Sequence, residues 1–204
     1  DFELAAGDVI SFIAPVRDGR KFLKKNGFQT HQAKSCIIVG GGRAAYYLAK
    51  RLIELGISVQ IVENKKERCE ELSVLLPQAI IVNGDGTSEE LLNEIGITTT
   101  ESLVPLTGID EENIMLTLYA KEVSNAKVVT KINRITYTGV IDQLDLGSVV
   151  YPKYITSEAI IAFVRSKTAT MNNNIETMIH LFDERVEAIE FVVGDQSPIV
   201  NLPL

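Results

Sequence analysis

Cys36-Ile37-Ile38-Val39-Gly40-Gly41-Gly42-Arg43-Ala44-Ala45, followed by a helical stretch and then by Ile57–Glu63, is the part of the sequence that decides the fold. The first four residues read as a buried strand. Gly40 allows a tight turn out of that strand, and Gly42 lets the backbone approach a phosphate with no side chain in the way. Ala45 is small enough for close helix–strand packing. The helix that begins here, read as Ala44–Leu55 and stopped by Gly56, turns its unpaired amides and partial positive charge toward the same point. Glu63 closes the next strand, 21 residues after Gly42, where a carboxylate can accept hydrogen bonds from ribose hydroxyls. A glycine triplet alone is weak evidence. The strand before it, the helix after it and the acid at this distance make it a nucleotide-binding unit. Glu63 also repels a 2′-phosphate, which favours NAD(H) or an adenine nucleotide over NADP(H).

Outward from this unit, strands and helices alternate. Strands are expected at Ala79–Asn83, Ser102–Leu106, Lys127–Ile132 and Ser148–Tyr151. Helices are expected at Lys65–Leu76, Ser88–Ile95, Asp110–Ser124, around Thr138–Leu144 and at Ser157–Val164. Such alternation implies βαβ crossovers and an α/β fold, a Rossmann-type doubly wound parallel sheet with both faces covered. Two further features fall at strand ends. Asp85, in Gly84-Asp85-Gly86-Thr87, either faces the adenosine or caps the next helix. Thr107, in Leu106-Thr107-Gly108, lies near the pyrophosphate or the far ribose, or serves with Asp110 as a capping residue. Arg43, at the start of the first helix of the unit, is either a phosphate contact or a solvated surface arginine.

The flanks differ in character. Residues 1–34 carry six basic side chains against four acidic ones, in a chain whose net charge is −7. Phe2–Leu4 and Val9–Ile13 read as two short strands that need a sheet from elsewhere, and 15–33 as a basic helical connector. After a polar linker at Lys167–Asn174, Ile175–Phe182 and Val186–Val193 read as an antiparallel pair. Both ends look cut from something longer.

The sequence argues against several classes of function. It has no basic tract for nonspecific nucleic-acid binding, no apolar run of the roughly 20 residues that span a bilayer, and no basic-then-apolar leader. Cys36 and Cys69 lack metal-ligand spacing and read as packing thiols. An oxidoreductase needs an acid or base beside its nicotinamide. His31 and His180 sit in no motif, and the Tyr46/Lys50 pair, although spaced like a catalytic Tyr-x-x-x-Lys, follows the glycine loop directly. A nucleotide site without a catalytic domain suggests a sensor; the alternative is a truncated NAD-dependent oxidoreductase. Helix Asp110–Ser124 (Ile114, Met115, Leu116, Leu118, Tyr119) and helix Ile155–Val164 are more apolar than one sheet face needs, so self-association is expected.

The motifs Ile37–Ile53, Val82–Thr87, Leu106–Asn113 with Asp110-Glu111-Glu112-Asn113, and Val128–Arg134 together resemble the RCK (regulator of K+ conductance) domain family, over roughly residues 34–165. The resemblance implies that 34–166 is a Rossmann lobe, probed by NAD(H) or ATP/ADP, with Gly40, Gly42, Arg43, Ala44, Glu63, Asp85 and Thr107 at its cleft. It further implies that 1–33 holds the tail of a preceding small β-rich C-lobe plus a connector, and 167–204 the start of the following one. The protein so implied is a cytoplasmic regulatory subunit, peripheral on the inner face of the membrane. It would pair through its Rossmann lobes and gate a TrkH/TrkG-like potassium-translocating subunit.

Overall fold

The computed structural model describes residues 3–5, 12–28, 32–134, 138–141, 143–168, 174–181, 186–193, 197 and 200. Its centre is a six-stranded sheet in the order β3-β2-β1-β4-β5-β6, every neighbouring pair parallel. The strands are β1 (Ser35–Val39), β2 (Ser58–Glu63), β3 (Ile80–Asn83), β4 (Ser102–Pro105), β5 (Lys127–Lys131) and β6 (Ser148–Val150). The helices are α1 (Val16–Lys25), α2 (Arg43–Glu54), α3 (Lys66–Leu75), α4 (Glu89–Glu94), α5 (Asp110–Val123), α6 (Thr138–Ile141) and α7 (Pro152–Thr168). The chain winds outward through β2 and β3, then crosses back to β4 on the other side of β1. That reversal opens a crevice beyond the carboxyl ends of β1 and β4.

The unbroken apolar run of β1 resolves into two faces. Cys36 and Ile38 point to a core shared with Val59, Ile61, Ala45, Ala49 and Leu72, which seats α2 and α3. Ile37 and Val39 point to the opposite core, with Val62, Leu92, Leu103, Leu116 and Ala120, which seats α4 and α5. Both faces being covered, period-two alternation leaves no polar mark in the sequence. Ile37, Ile38 and Ile61 are fully buried, each contributing about 1.5–3 kcal/mol of transfer free energy. Ala45 and Ala49 are fully buried as well, so α2 lies close on the sheet.

Helix α5 turns two polar residues inward, Asn113 and Thr117, beside Leu116 and Ala120. The Thr117 and Thr130 hydroxyls meet at 2.6 Å, and Thr130 donates to the Leu146 carbonyl. The surplus apolar surface expected on α5 is mostly absorbed. Ile114 and Leu118 pack on a third cluster, Ile132, Ile141 and Leu146, at the β5–β6 end, which leaves Met115 exposed. Helix α7 does keep apolar side chains in solvent, Ile155, Ile160 and Ile161 among them.

The larger differences from the sequence reading lie at helix α7 and near the N-terminus. Helix α7 begins at Pro152, not Ser157, because proline suits the first turn of a helix, where its missing N–H is not needed. It continues to Thr168, into the expected linker, whose residues 169–173 lie outside the described ones. Of the two expected N-terminal strands, residues 3–5 and 12–13 take no regular structure and the rest lie outside the described residues. The expected antiparallel pair is present as β7 (Asn174–Leu181) and β8 (Val186–Val192).

Candidate functional site

A cleft of about 790 Å³ occupies the crevice at the carboxyl ends of the strands, a size usual for a cofactor site. The glycine loop forms its floor, and each glycine is required for a different reason. Gly40 has φ +100°, and a Cβ there would lie 3.1 Å from the Leu106 and Thr107 backbone. Its N–H donates to the Val62 carbonyl at 2.8 Å. At Gly41 a Cβ would run into Leu72 Cδ1 at 2.7 Å and Glu63 Oε2 at 2.9 Å. At Gly42, the N-cap of α2, a Cβ would meet no protein atom within 4 Å. No side chain caps this helix start. Gly42 therefore borders open space beside unpaired amides, the cradle that a phosphate requires.

The loop is held from the second strand–helix unit. Gly41 N–H donates to Glu63 Oε2 at 2.7 Å, and the Gly41 carbonyl accepts from Arg68 Nε at 2.7 Å. Glu63 Oε1 accepts from Lys65 N–H at 2.8 Å. Arg68 is itself steadied by Glu71 at 2.6 Å. Each Glu63 oxygen keeps a lone pair for a ribose hydroxyl, so the carboxylate can fix the loop and serve a ligand together. Close by, the Cys69 thiol donates to the Glu63 carbonyl at 3.3 Å, and burial pushes its pKa up.

Asp85 lines the cleft next. Its Oδ1 accepts from the Thr87 N–H at 2.9 Å and the Thr87 hydroxyl at 2.7 Å, which hold its carboxyl below the usual aspartate value. It does not cap the following helix; Ser88 does, accepting from Leu91 N–H. Thr107 also lines the cleft, and its N–H and hydroxyl both reach Asn113 Oδ1 at 2.9 Å. Asn113 Nδ2 donates to the Lys131 carbonyl at 3.0 Å. Asp110 ties α5 to the loop after β5, accepting from Asn133 and Arg134 amides at 2.8 and 3.0 Å rather than capping its own helix. Lys131 Nζ donates to the Leu106 carbonyl at 3.1 Å; burial pulls its pKa down and the Asp110 charge opposes this.

The structure thus brings Gly40, Gly42, Glu63, Asp85 and Thr107 to one cleft. Arg43 and Ala44 are exposed in the first turn of α2 and are not part of its wall. Three residues that shape the cleft are given no role by the sequence reading: Arg68, and Asn113 and Lys131, which enter it only as members of motifs. Only Asn113 carried a signal, as an amide on the inward stripe of an apolar helix. Tyr46, on α2, packs against the core, away from the cleft. The side chains of His31 and His180 lie outside the described residues.

The TrkA-N domain model matches residues 36–152, from β1 to the start of α7. The chain belongs to the TrkA-N domain family. This bears out the resemblance to the RCK, TrkA-type domain. The Trk system potassium uptake protein TrkA of Azorhizobium caulinodans is 28% identical over 204 residues, covering 99% of this chain and 43% of that protein. Its namesake from Haemophilus influenzae is 31% identical over 196 residues, 96% of this chain and 42% of that protein. The chain therefore spans about two fifths of the length of these TrkA-N relatives. Among solved structures, the TrkA-N domain of the inner membrane protein ybaL from Escherichia coli superposes with TM-score 0.58 at 15% identity, over 66% of this chain and 99% of that one. A GsuK channel bound to NAD superposes with TM-score 0.52 at 12% identity, over 81% of this chain and 29% of that one. At these identities the structural likeness shows a shared fold and nothing more.

Proposed function

We propose that this chain is the nucleotide-binding part of a regulatory subunit in a Trk-type potassium uptake system. It binds NAD(H) or ATP/ADP in the cleft above Gly40–Gly42 and passes its occupancy to a TrkH/TrkG-like membrane subunit that carries the potassium. The observation that carries this reading is the open cradle at Gly42, set at the topological switch point beside a fixed Glu63. The residues present fit an adenine nucleotide. The amides of α2 face its phosphates, Glu63 its ribose, and Asp85 and Thr107 the flanks, while Arg43 contributes its backbone position rather than a wall. The nucleotide supplies a signal here, not a reaction, and the subunit is a sensor rather than an enzyme.

The names of the relatives and the NAD of the GsuK channel support the potassium and nucleotide parts of this reading. Residues 34–166 act as the Rossmann lobe; 1–33 and 167–204 belong to flanking C-lobes of a tandem subunit, consistent with relatives more than twice as long. The subunit works at the cytoplasmic face of the membrane; no described helix is long and apolar enough to cross it. It pairs through its Rossmann lobes, and the exposed Ile155, Ile160 and Ile161 of α7 supply apolar surface for this. Calorimetric titration with NADH and ATP tests the site, and nucleotide-dependent potassium uptake in cells that depend on the intact subunit tests the role. Absence of saturable binding to either nucleotide overturns the reading. Hydride transfer to a panel of small carbonyl substrates would replace it with an oxidoreductase.

A further inference from the structure

Lys131 is the last residue of β5, two strands across the sheet from the glycine loop, about 10 Å away at the usual strand spacing of about 4.8 Å. It lines the cleft at the end opposite Glu63 and Asp85. The other charged groups on the cleft wall are mostly engaged. Glu63 holds two amides, Arg68 is paired with Glu71 and the Gly41 carbonyl, and Asp85 holds Thr87. Lys131 makes no ion pair among the described residues. One of its three N–H groups meets the Leu106 carbonyl; Asp110, whose charge acts on it, already accepts from Asn133 and Arg134. Glu112 shares the wall, and Lys65 stands at its Glu63 end. A half-buried ammonium without an ion pair is costly by itself and favours an anion beside it. Its backbone is also fixed, since Asn113 holds the Lys131 carbonyl and Thr107 together.

We propose that Lys131 reads the charge at the far end of the bound nucleotide. This rests on the nucleotide-binding reading above and extends it to selectivity. A ligand with its first phosphate on the glycine loop extends across the crevice toward β4 and β5. ADP and ATP bring anionic phosphates to that end. NADH brings a neutral ring, and NAD+ a cationic one. AMP does not reach it. Lys131 therefore favours ATP and ADP over AMP, and NADH over NAD+.

Calorimetry with AMP, ADP, ATP, NADH and NAD+ on the wild type, Lys131→Gln and Lys131→Arg tests this. Lys131→Gln is expected to lower ATP affinity about ten-fold while AMP stays within about two-fold, and to bring NAD+ and NADH closer together. Lys131→Arg should restore most of the ATP affinity. The wild-type order of affinities is a second readout that needs no variant. A wild type that binds NAD+ as tightly as NADH overturns the proposal, as does a uniform loss across AMP and ATP in Lys131→Gln, which would mark a purely structural lysine. A wild type that binds none of the five overturns the functional reading itself.

Discussion

The two halves of the cleft are built on different chemistry. On the β1–β2–β3 side, carboxylates do the holding: Glu63 takes the Gly41 and Lys65 amides, and Asp85 takes Thr87. On the β4–β5 side a buried carboxamide does it, with Asn113 joining Thr107 to Lys131, and the one ammonium stands at the edge. The first half suits neutral hydroxyl groups, which donate to carboxylates. The second suits negative charge. ADP and ATP have both ends in that order, so the asymmetry of the cleft matches theirs.

The largest expected effect comes where the halves meet. Gly42→Asp places a carboxylate in the space where the new Cβ meets no protein atom, so the fold should survive while nucleotide affinity falls by more than about 100-fold. Calorimetry together with a thermal melt separates the two quantities; unaltered affinity for both NADH and ATP would remove this loop from the site. In the far half, Asn113→Ala leaves Thr107 N–H and the Lys131 carbonyl without their partner at a fully buried position. A loss of about 1–3 kcal/mol in unfolding free energy is expected, readable from urea denaturation, and a neutral outcome would show that water replaces the amide.

In the near half, Glu63→Ala is expected to weaken NAD(H) binding by about 1–3 kcal/mol. Because Glu63 also holds Gly41, the amide of Gly41 should exchange with solvent faster in the variant even without ligand. Unchanged affinity would release Glu63 from the ribose. The smallest effect belongs to Asp85, which is exposed. Its carboxyl is held below the usual value, so its contribution to the Thr87 turn is present above the ordinary aspartate pKa and is lost as pH falls through the lowered one. Thr87 amide exchange, intrinsic rates allowed for, should lose protection under acid conditions, and should lose it at neutral pH in Asp85→Ala, which removes the acceptor. The pairing of lobes is checked separately: Ile160→Glu on α7 should convert a dimer to a monomer in sedimentation while Met115→Glu on α5 leaves it paired.

The near half of the site was legible in the sequence because its logic is local. Val39, Gly40, Gly42 and Glu63 sit within one strand–helix–strand unit, and their spacing carries the meaning. Of the far half only Thr107 was, because the rest depends on which strands become neighbours. Lys131 ends a strand like any other until β5 is laid beside β4; in the near half too, Arg68 is one more charge on a helix until its Nε reaches the Gly41 carbonyl. Asp110 illustrates the same point. Its place at a helix start suggests a cap, yet it bonds to a loop more than twenty positions later. Helix α7 begins five residues before the sequence places it, because Pro152, which cannot continue a strand ladder, can open a helix.

The double tether of Gly41 has a consequence for rates. With its amide on Glu63 and its carbonyl on Arg68, the loop already has its ligand-ready shape before any nucleotide arrives. Association should then be a single step, its observed rate rising linearly with nucleotide concentration without a plateau. Differences among nucleotides should appear in how long each one stays.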